Sequence, residues 1–512
     1  MASEPPATTA GAAPAASGPL SDRRFFGHPR GLATLFLTEF WERFSYYGMR
    51  GLLILFMTAD GVRGGLGFST PRAGAIYGLY TGSVWLASLP GGWIADRLLG
   101  QRRAVFIGGC VIAAGHFCLA VDSLATFFLG LVLIASGTGL LKPNVSTMVG
   151  ELYPEGGGRR DAGFSIFYSG INLGALAAPL VCGELGEKVN WHLGFAMAGV
   201  GMVLGLIQYK AGGRHLGEAG LRPNAGVDPA ARRKAVRTLV GGAAAALLVG
   251  GLIASGVIGL TAERAAQGAS LAIGALGALY FAFQFLFGGL DRRETKRMLA
   301  LLVLFVFSAV FWAGFEQAGS SLNLFAEQLT NRNVLGWHPA ASTFQSVEPL
   351  FVIVFAPVLA WLWVRLGRRN PSSPFKFSLG LFLGALGLVV VVFAALASVG
   401  TAVFRPGIEP RLVGPMWLVV TYLLQGLGEL CLSPVGLSTV TKLAPRRKVS
   451  QLMGIWFLSL SLGNLLAGQV AGRFDSVPLF QIFGAVAAVT AGAGLLMLLL
   501  VRPMRNLMQG AE

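Results

Sequence analysis

Glu39-Phe40-Trp41-Glu42-Arg43-Phe44-Ser45-Tyr46-Tyr47-Gly48-Met49-Arg50 puts four charged side chains into the first long apolar segment of the chain. With successive helical residues about 100° apart, Glu39, Glu42, Arg43, Tyr46, Tyr47 and Arg50 share a sector roughly 140° wide, while Phe40, Trp41, Phe44 and Met49 point elsewhere. A charge held at mid-bilayer costs roughly 2.5–3.5 kcal/mol on insertion scales. Such residues therefore face a protein interior or a water-filled cavity, where opposite signs can pair. The competing reading, a helix end with snorkelling side chains, fits less well because the stripe carries both signs. The stripe reads as a pathway for ions and a charged solute.

Around this segment the composition is that of a membrane. Of 512 residues, 54% are apolar and 12% charged, about half the charged fraction of a soluble protein. The chain is expected to be an all-α polytopic membrane protein. Its net charge of +16 lies in short basic clusters between apolar runs, which points to membrane orientation and not to nucleic acid. The four cysteines, Cys110, Cys118, Cys182 and Cys431, lie in apolar runs without metal-ligand spacing and read as small packing residues. Residues 1–24 are expected to be a disordered tail, not a signal peptide.

Apolar runs long enough to cross roughly 30 Å of hydrocarbon fall near 31–58, 70–95, 103–122, 124–149, 161–185, 191–210, 237–259, 269–288, 298–324, 341–366, 375–399, 414–440, 450–473 and 478–501. An even number of spans puts both termini on one side. If that side is inside, the inside segments hold 29 of the 40 Lys and Arg residues and the outside segments eight, with Arg43, Arg50 and Lys142 intramembrane. This asymmetry predicts cytoplasmic termini. The expected organisation is a six-helix bundle over 25–210, a cytoplasmic linker over 211–236, an inserted two-helix hairpin over 237–288 and a second bundle over 289–505. The hairpin runs carry no charge and read as peripheral and lipid-facing.

Six helices plus six around a central linker resemble the major facilitator superfamily. Its loop motif is visible as Gly91-Gly92-Trp93-Ile94-Ala95-Asp96-Arg97-Leu98-Leu99-Gly100-Gln101-Arg102-Arg103, in which Asp96 and Arg97 would form a conformational latch. A narrower resemblance is to the proton-dependent oligopeptide transporter family, prokaryotic type. Its signature Glu-x-x-Glu-Arg-Phe-x-Tyr-Tyr-Gly is complete at 39–48. Further stretches follow in order: Gly139-Leu140-Leu141-Lys142-Pro143-Asn144, Phe167-Tyr168-Ser169-Gly170-Ile171-Asn172, Phe311-Trp312-Ala313-Gly314-Phe315-Glu316, Gly428-Glu429-Leu430-Cys431-Leu432-Ser433-Pro434 and Gly454-Ile455-Trp456-Phe457. The match covers essentially residues 30–500, and the inserted hairpin is usual in prokaryotic members.

The resemblance implies a symporter that moves di- and tripeptides with protons by alternating access, in the bacterial inner membrane, with no cofactor, no metal and no obligatory protein partner. A zwitterionic peptide needs a basic pole, an acidic pole and adaptable walls. The resemblance assigns the basic pole to Arg43 and Lys142, the latter beside a possible helix break at Pro143. It assigns the acidic pole to Glu429, near Ser433 and Pro434, with Asn172 as amide partner. The walls would be Tyr46, Tyr47, Trp312 and Trp456, with Tyr77 and Trp85 as weaker candidates. Proton coupling would fall to Glu39, Glu42 and Glu316 with Arg43 and Lys142, because burial and a nearby cation move a carboxyl in opposite directions. Helix two has no histidine, and His116 reads as packing.

Two departures bear on selectivity. Where members commonly have Asn after Gln-Ser, this chain reads Gln345-Ser346-Val347-Glu348. Glu348 would add a carboxyl to the ammonium pole, or another proton site. Trp85 stands where a tyrosine is often found. A second reading keeps the fold and coupling with another small cargo: amino-acid-like, cationic or nitrate. An enzyme or receptor is not expected, for the chain has no His-Glu-x-x-His, no intramembrane Ser/His or Asp/Asp arrangement and no signalling domain. Nor does it have a Walker-type glycine loop.

Overall fold

The computed structural model describes residues 23–155, 157–221, 229–405 and 409–508. Most of the expected N-terminal tail and the middle of the linker lie outside the described residues. The first half comprises α1 (Arg30–Thr58), α2 (Thr70–Ile94), α3 (Gln101–Leu119), α4 (Leu124–Glu151), α5 (Gly157–Lys188) and α6 (Trp191–Gly212). A hairpin follows, α7 (Pro229–Ala254) and α8 (Ala262–Phe287). The second half comprises α9 (Arg292–Gln328), α10 (Ala341–Arg369), α11 (Ser373–Val399), α12 (Met416–Leu443), α13 (Val449–Ala471) and α14 (Leu479–Met508). Eleven of these helices are long and apolar enough to cross a bilayer by composition alone. α1 is as long, at 29 residues, and its charged stripe sets it apart.

Local chemistry sets the breaks. The Asp291 carboxylate accepts from the amides of Arg293 and Glu294 while Glu294 reaches back to the Asp291 amide, a capping box that starts α9. The Asn190 side chain likewise caps α6 through the His192 amide at 2.8 Å. α5 widens into a π turn at Pro179–Gly183, α9 tightens at Glu316–Gly319, and α10 opens with the 3-10 turn Ala341–Ser346. By contrast α4 passes through Pro143 and α12 through Pro434 without interruption, so the expected break beside Lys142 is absent.

Within the first half α1 packs on α5 and α6, and α3 on α4 and α6; within the second, α11 packs on α12 and α14, and α9 on α13 and α14. The halves meet along α2 with α13 and at α5 with α10. One apolar core runs through the first half and into the parts of the second half farthest from the termini. A second core fills the terminus end of the second half together with α8. The halves therefore share a core at the far end.

Polar contacts across the halves repeat this bias. At the far end Asn323 donates to the Gly51 carbonyl (2.7 Å), Arg63 pairs with Glu327 (3.5 Å), and Thr70 bonds Asp475. Two carboxylates of α5 hold the start of α10: Glu184 accepts from the Ala340 amide (2.7 Å), and Glu187 from the amides of Ala341 (2.7 Å) and Ser342 (2.8 Å) and the Ser342 hydroxyl (2.5 Å). A cleft of about 640 Å³, lined by Arg63, Glu187, Trp191, Glu327 and Arg332 among others, lies over this closure.

The hairpin differs from expectation in two respects. α7 begins at Pro229, inside the segment expected to be linker, and the start of that segment folds onto the first half, with Arg102 donating to the carbonyls of Ala219 (2.7 Å) and Gly217 (2.5 Å). α8 is not wholly lipid-facing. Ala266, Ile273, Gly277, Phe281 and Gln284 are buried on one face, packed against α2 and α13, with Gln469 donating to Ser270 at 2.7 Å. Lipid and a partner helix both favour apolar side chains, so an evenly apolar run does not reveal which face is covered.

Candidate functional site

The α1 stripe stays together in the fold: Glu39, Glu42, Arg43, Tyr46 and Arg50 are all buried. They divide between two charge clusters. In the first, the Arg43 guanidinium grips Glu42 through two bonds of 2.5 and 2.6 Å and approaches Glu39 at 3.6 Å. The other Glu39 oxygen is buried without a partner. Lys142 enters from α4, with its ammonium 4.8 Å from the centre of the Trp85 ring and within electrostatic reach of Glu39, Glu42 and Arg43. Trp85 in turn stacks on Phe457 of α13 at 5.8 Å. Two acids face two bases, so the cluster is neutral as a set.

The second cluster lies toward the far end. Arg50, two turns beyond Arg43, pairs with Glu316 at the tightened turn of α9 and donates to the Tyr77 hydroxyl at 2.7 Å. Gly319 makes room for this guanidinium, since a Cβ there would sit 2.7 Å from its Nε. On the other side Glu348 of α10 and Glu429 of α12 bring their carboxyls within hydrogen-bonding reach of each other. Tyr168 of α5 donates to Glu429 at 3.3 Å. Asn172, one turn on, donates to the Tyr168 carbonyl at 3.2 Å, so it approaches the carboxyls through Tyr168.

Tyr46 and Tyr47 join the two clusters. The Arg43 guanidinium lies 4.9 Å from the Tyr46 ring centre, and the Tyr47 ring sits 5.8 Å from Arg43 and 5.6 Å from Arg50. Such spacings allow cation–π attraction while leaving donors free for a ligand. Of the expected wall residues, Trp312 and Trp456 are buried in the apolar core of the second half. The Trp312 indole N–H has no protein acceptor, and Trp456 meets Phe377 edge-on at 6.4 Å. Asp96 accepts from Gln101 at 3.4 Å, and Arg97 lies 5.4 Å from the Trp93 ring. His116 is buried in α3 with both ring nitrogens unpartnered.

The sequence places Arg50 in the α1 stripe without giving it a role, and the fold makes it the partner of Glu316. Other residues of this site carry less signal. Tyr168 and Tyr422, the latter buried in α12 within electrostatic reach of Glu348, carried none, because a tyrosine in an apolar run reads as packing. The same holds for Glu184 and Glu187, which read as an ordinary charged helix end.

The arrangement can hold a molecule with opposite charges at its ends, cations near Glu348 and Glu429 and anions near Arg43 and Lys142, and can pass protons among carboxyls whose partners change. The model of the POT family matches residues 102–486. The chain is 42% identical to the peptide transporter YePEPT of Yersinia enterocolitica, over 96% of this chain and 97% of that protein. It is 37% identical to a di-/tripeptide transporter of Lactococcus lactis, over 95% and 98%. A crystal structure of a mutant of the peptide transporter POT in complex with alafosfalin superposes with a TM-score of 0.86 at 43% identity, covering 97% of this chain and 98% of that one.

Proposed function

Because this chain belongs to the POT family, we propose that it imports di- and tripeptides together with protons, by alternating access in a bacterial inner membrane. The observation that carries this reading is two buried groups between the halves: the cations Arg43 and Lys142, balanced by Glu39 and Glu42, on one side, and the carboxyls Glu348 and Glu429 on the other. A peptide carboxylate would meet the first and its ammonium the second, with Tyr46, Tyr47 and Tyr168 between them. Trp312 and Trp456 would back the side-chain space. Relatives named as peptide and di-/tripeptide transporters support the cargo.

Proton coupling rests on the carboxyls. Glu39 and Glu42 share Arg43, and Glu316 holds Arg50. A carboxylate losing its cation in a low-dielectric site takes up a proton. Rocking of the halves that separates one of these pairs therefore moves a proton between the two sides. The far-end closure supports a state accessible from the terminus end. The excess of Lys and Arg in segments at that end supports cytoplasmic termini, and Asp96 and Arg97 would latch the cytoplasmic side in the opposite state. A cationic or amino-acid-like cargo is the second reading, favoured by the two carboxyls at one pole; the same carboxyls disfavour nitrate.

Purified protein in liposomes decides between these readings. Labelled dialanine should accumulate when an inward proton gradient is imposed and collapse with a protonophore, and competition by dipeptides should exceed that by single amino acids. Uptake indifferent to the gradient would overturn the coupling, and absence of dipeptide competition would overturn the cargo.

A further inference from the structure

The acidic pole is short of positive charge. In the first cluster Glu39 and Glu42 are matched by Arg43 and Lys142. In the second, Glu316, Glu348 and Glu429 face Arg50, and Arg50 is taken by Glu316. Among the described residues, the charged and titratable groups around the Glu348–Glu429 pair are Arg50 and Tyr47 from α1, Tyr168 from α5, Glu316 from α9 and Tyr422 from α12. No free cation is among them. Two ionised carboxyls are acceptors only and repel, so two that lie within hydrogen-bonding reach must have a proton between them.

Oxygens beside the pair are also left open. Glu348 Oε1 is buried with no partner, and so is the hydroxyl of Tyr422, a fully buried residue within electrostatic reach of Glu348. Glu348 packs against Gly426 of α12, where a Cβ would meet the Glu348 carbonyl oxygen at 3.5 Å and its Cγ at 3.7 Å, ordinary contact distances. A primary ammonium brings three N–H donors and no acceptor, which suits this set of open oxygens better than a single proton does.

We propose that Glu348 and Glu429 share one proton in the empty site, and that the peptide's primary ammonium displaces it. The step balances. The shared proton leaves to water, the second carboxyl ionises, and the ammonium supplies the positive charge that the proton had supplied. Binding at this pole thus releases a proton, opposite in sign to the uptake by the Glu39 and Glu42 cluster that drives symport. This deepens the peptide reading above and rests on it. It makes Glu348 a determinant of selectivity for cargo with a free primary amine, against N-acylated or quaternary analogues that cannot replace the proton.

The test is dialanine binding to the full-length protein in detergent between pH 5 and 8, for wild type, Glu348→Asn and Glu348→Gln, with proton exchange followed by an indicator dye in weak buffer. By linkage, each proton released per peptide strengthens binding up to tenfold per pH unit. The ratio of variant to wild-type Kd should therefore rise with pH, by up to tenfold per unit, and the variants should release up to one proton fewer per peptide. N-acetyl-dialanine should bind wild type and variants with parallel pH profiles. Superimposable dialanine profiles for wild type and both variants would overturn the proposal. So would loss of dialanine binding in variants that keep the wild-type melting temperature, because Glu429 remains to hold the ammonium. If neither variant folds, wild type alone decides: dialanine should release a proton that N-acetyl-dialanine does not, and equal release overturns the proposal. Failure of wild type to bind dialanine at any pH would instead sink the peptide reading.

Discussion

Arg43 carries unequal loads from its two carboxylates. Glu42 takes both ends of the guanidinium fork, whereas Glu39 takes a longer contact and leaves one oxygen open. We expect Glu39→Gln and Glu42→Gln both to abolish gradient-driven uptake while sparing peptide counterflow better, since exchange needs no net proton movement. Glu42→Gln should also lower the melting temperature more than Glu39→Gln, because it breaks the forked pair. Equal loss of uptake and counterflow would assign these carboxyls to binding or folding. Arg43→Ala should damage both activities and destabilise by about 3–5 kcal/mol, the cost of stranding buried partners, read as a lowered melting temperature. At this scale the sequence was informative wherever charge sat at helical spacing: one stripe predicted buried charges on α1. Glu348 stood out as a departure from the family pattern, but only the fold brings it to Glu429, since α10 and α12 pack together. The hydroxyl of Tyr168 does not differ in sequence from that of any membrane tyrosine.

Helices show the same division between pattern and context. Eleven of the fourteen expected spans coincide with described helices long and apolar enough to cross a bilayer, whereas the breaks in α5 and α9 were not readable, because each lies inside a run that reads as one span. The break in α5 carries Glu184 and Glu187 to the start of α10, where one carboxylate of Glu187 accepts two amides and a hydroxyl and faces Arg332 at 3.4 Å. Bonds to an ionised acceptor contribute about 1.5–3 kcal/mol each, so Glu187→Gln should shift the balance toward a state open at the far end by tenfold or more. Spin labels across that end should report a larger long-distance population, and an unchanged distribution would refute this role. The hairpin presents the opposite case. α8 buries a face, yet lipid covers apolar side chains nearly as well as another helix does. Replacing 229–288 by a short polar linker, while keeping the folded segment that Arg102 holds, should preserve dialanine affinity within about threefold, well under the 1.4 kcal/mol that a tenfold change represents. The lost Gln469–Ser270 and Lys448–Gln284 bonds should appear as a modest fall in melting temperature. A correctly inserted deletion without peptide binding would show that α8 shapes the site.

For the whole molecule, the distribution of contacts argues for movement about the buried clusters. A shared apolar core and most polar ties between the halves lie at the far end, while the terminus end of the second half packs largely within itself and on α8. Charges between two such bodies can exchange partners only if the far-end ties open. Fixing those ties should therefore stop transport without removing the site. Arg63 and Glu327 face each other across the halves at 3.5 Å and lie outside both charge clusters. Replacing both by Cys, with the exposed Cys110 and the half-buried Cys118 changed to Ser, allows a short bifunctional thiol reagent to bridge the ends. The bridged protein should lose uptake and counterflow together, recover both when a cleavable bridge is reduced, and still bind dialanine in detergent from the terminus end. Transport that persists through quantitative bridging would mean that peptide passes without the halves separating at this end, which alternating access does not permit.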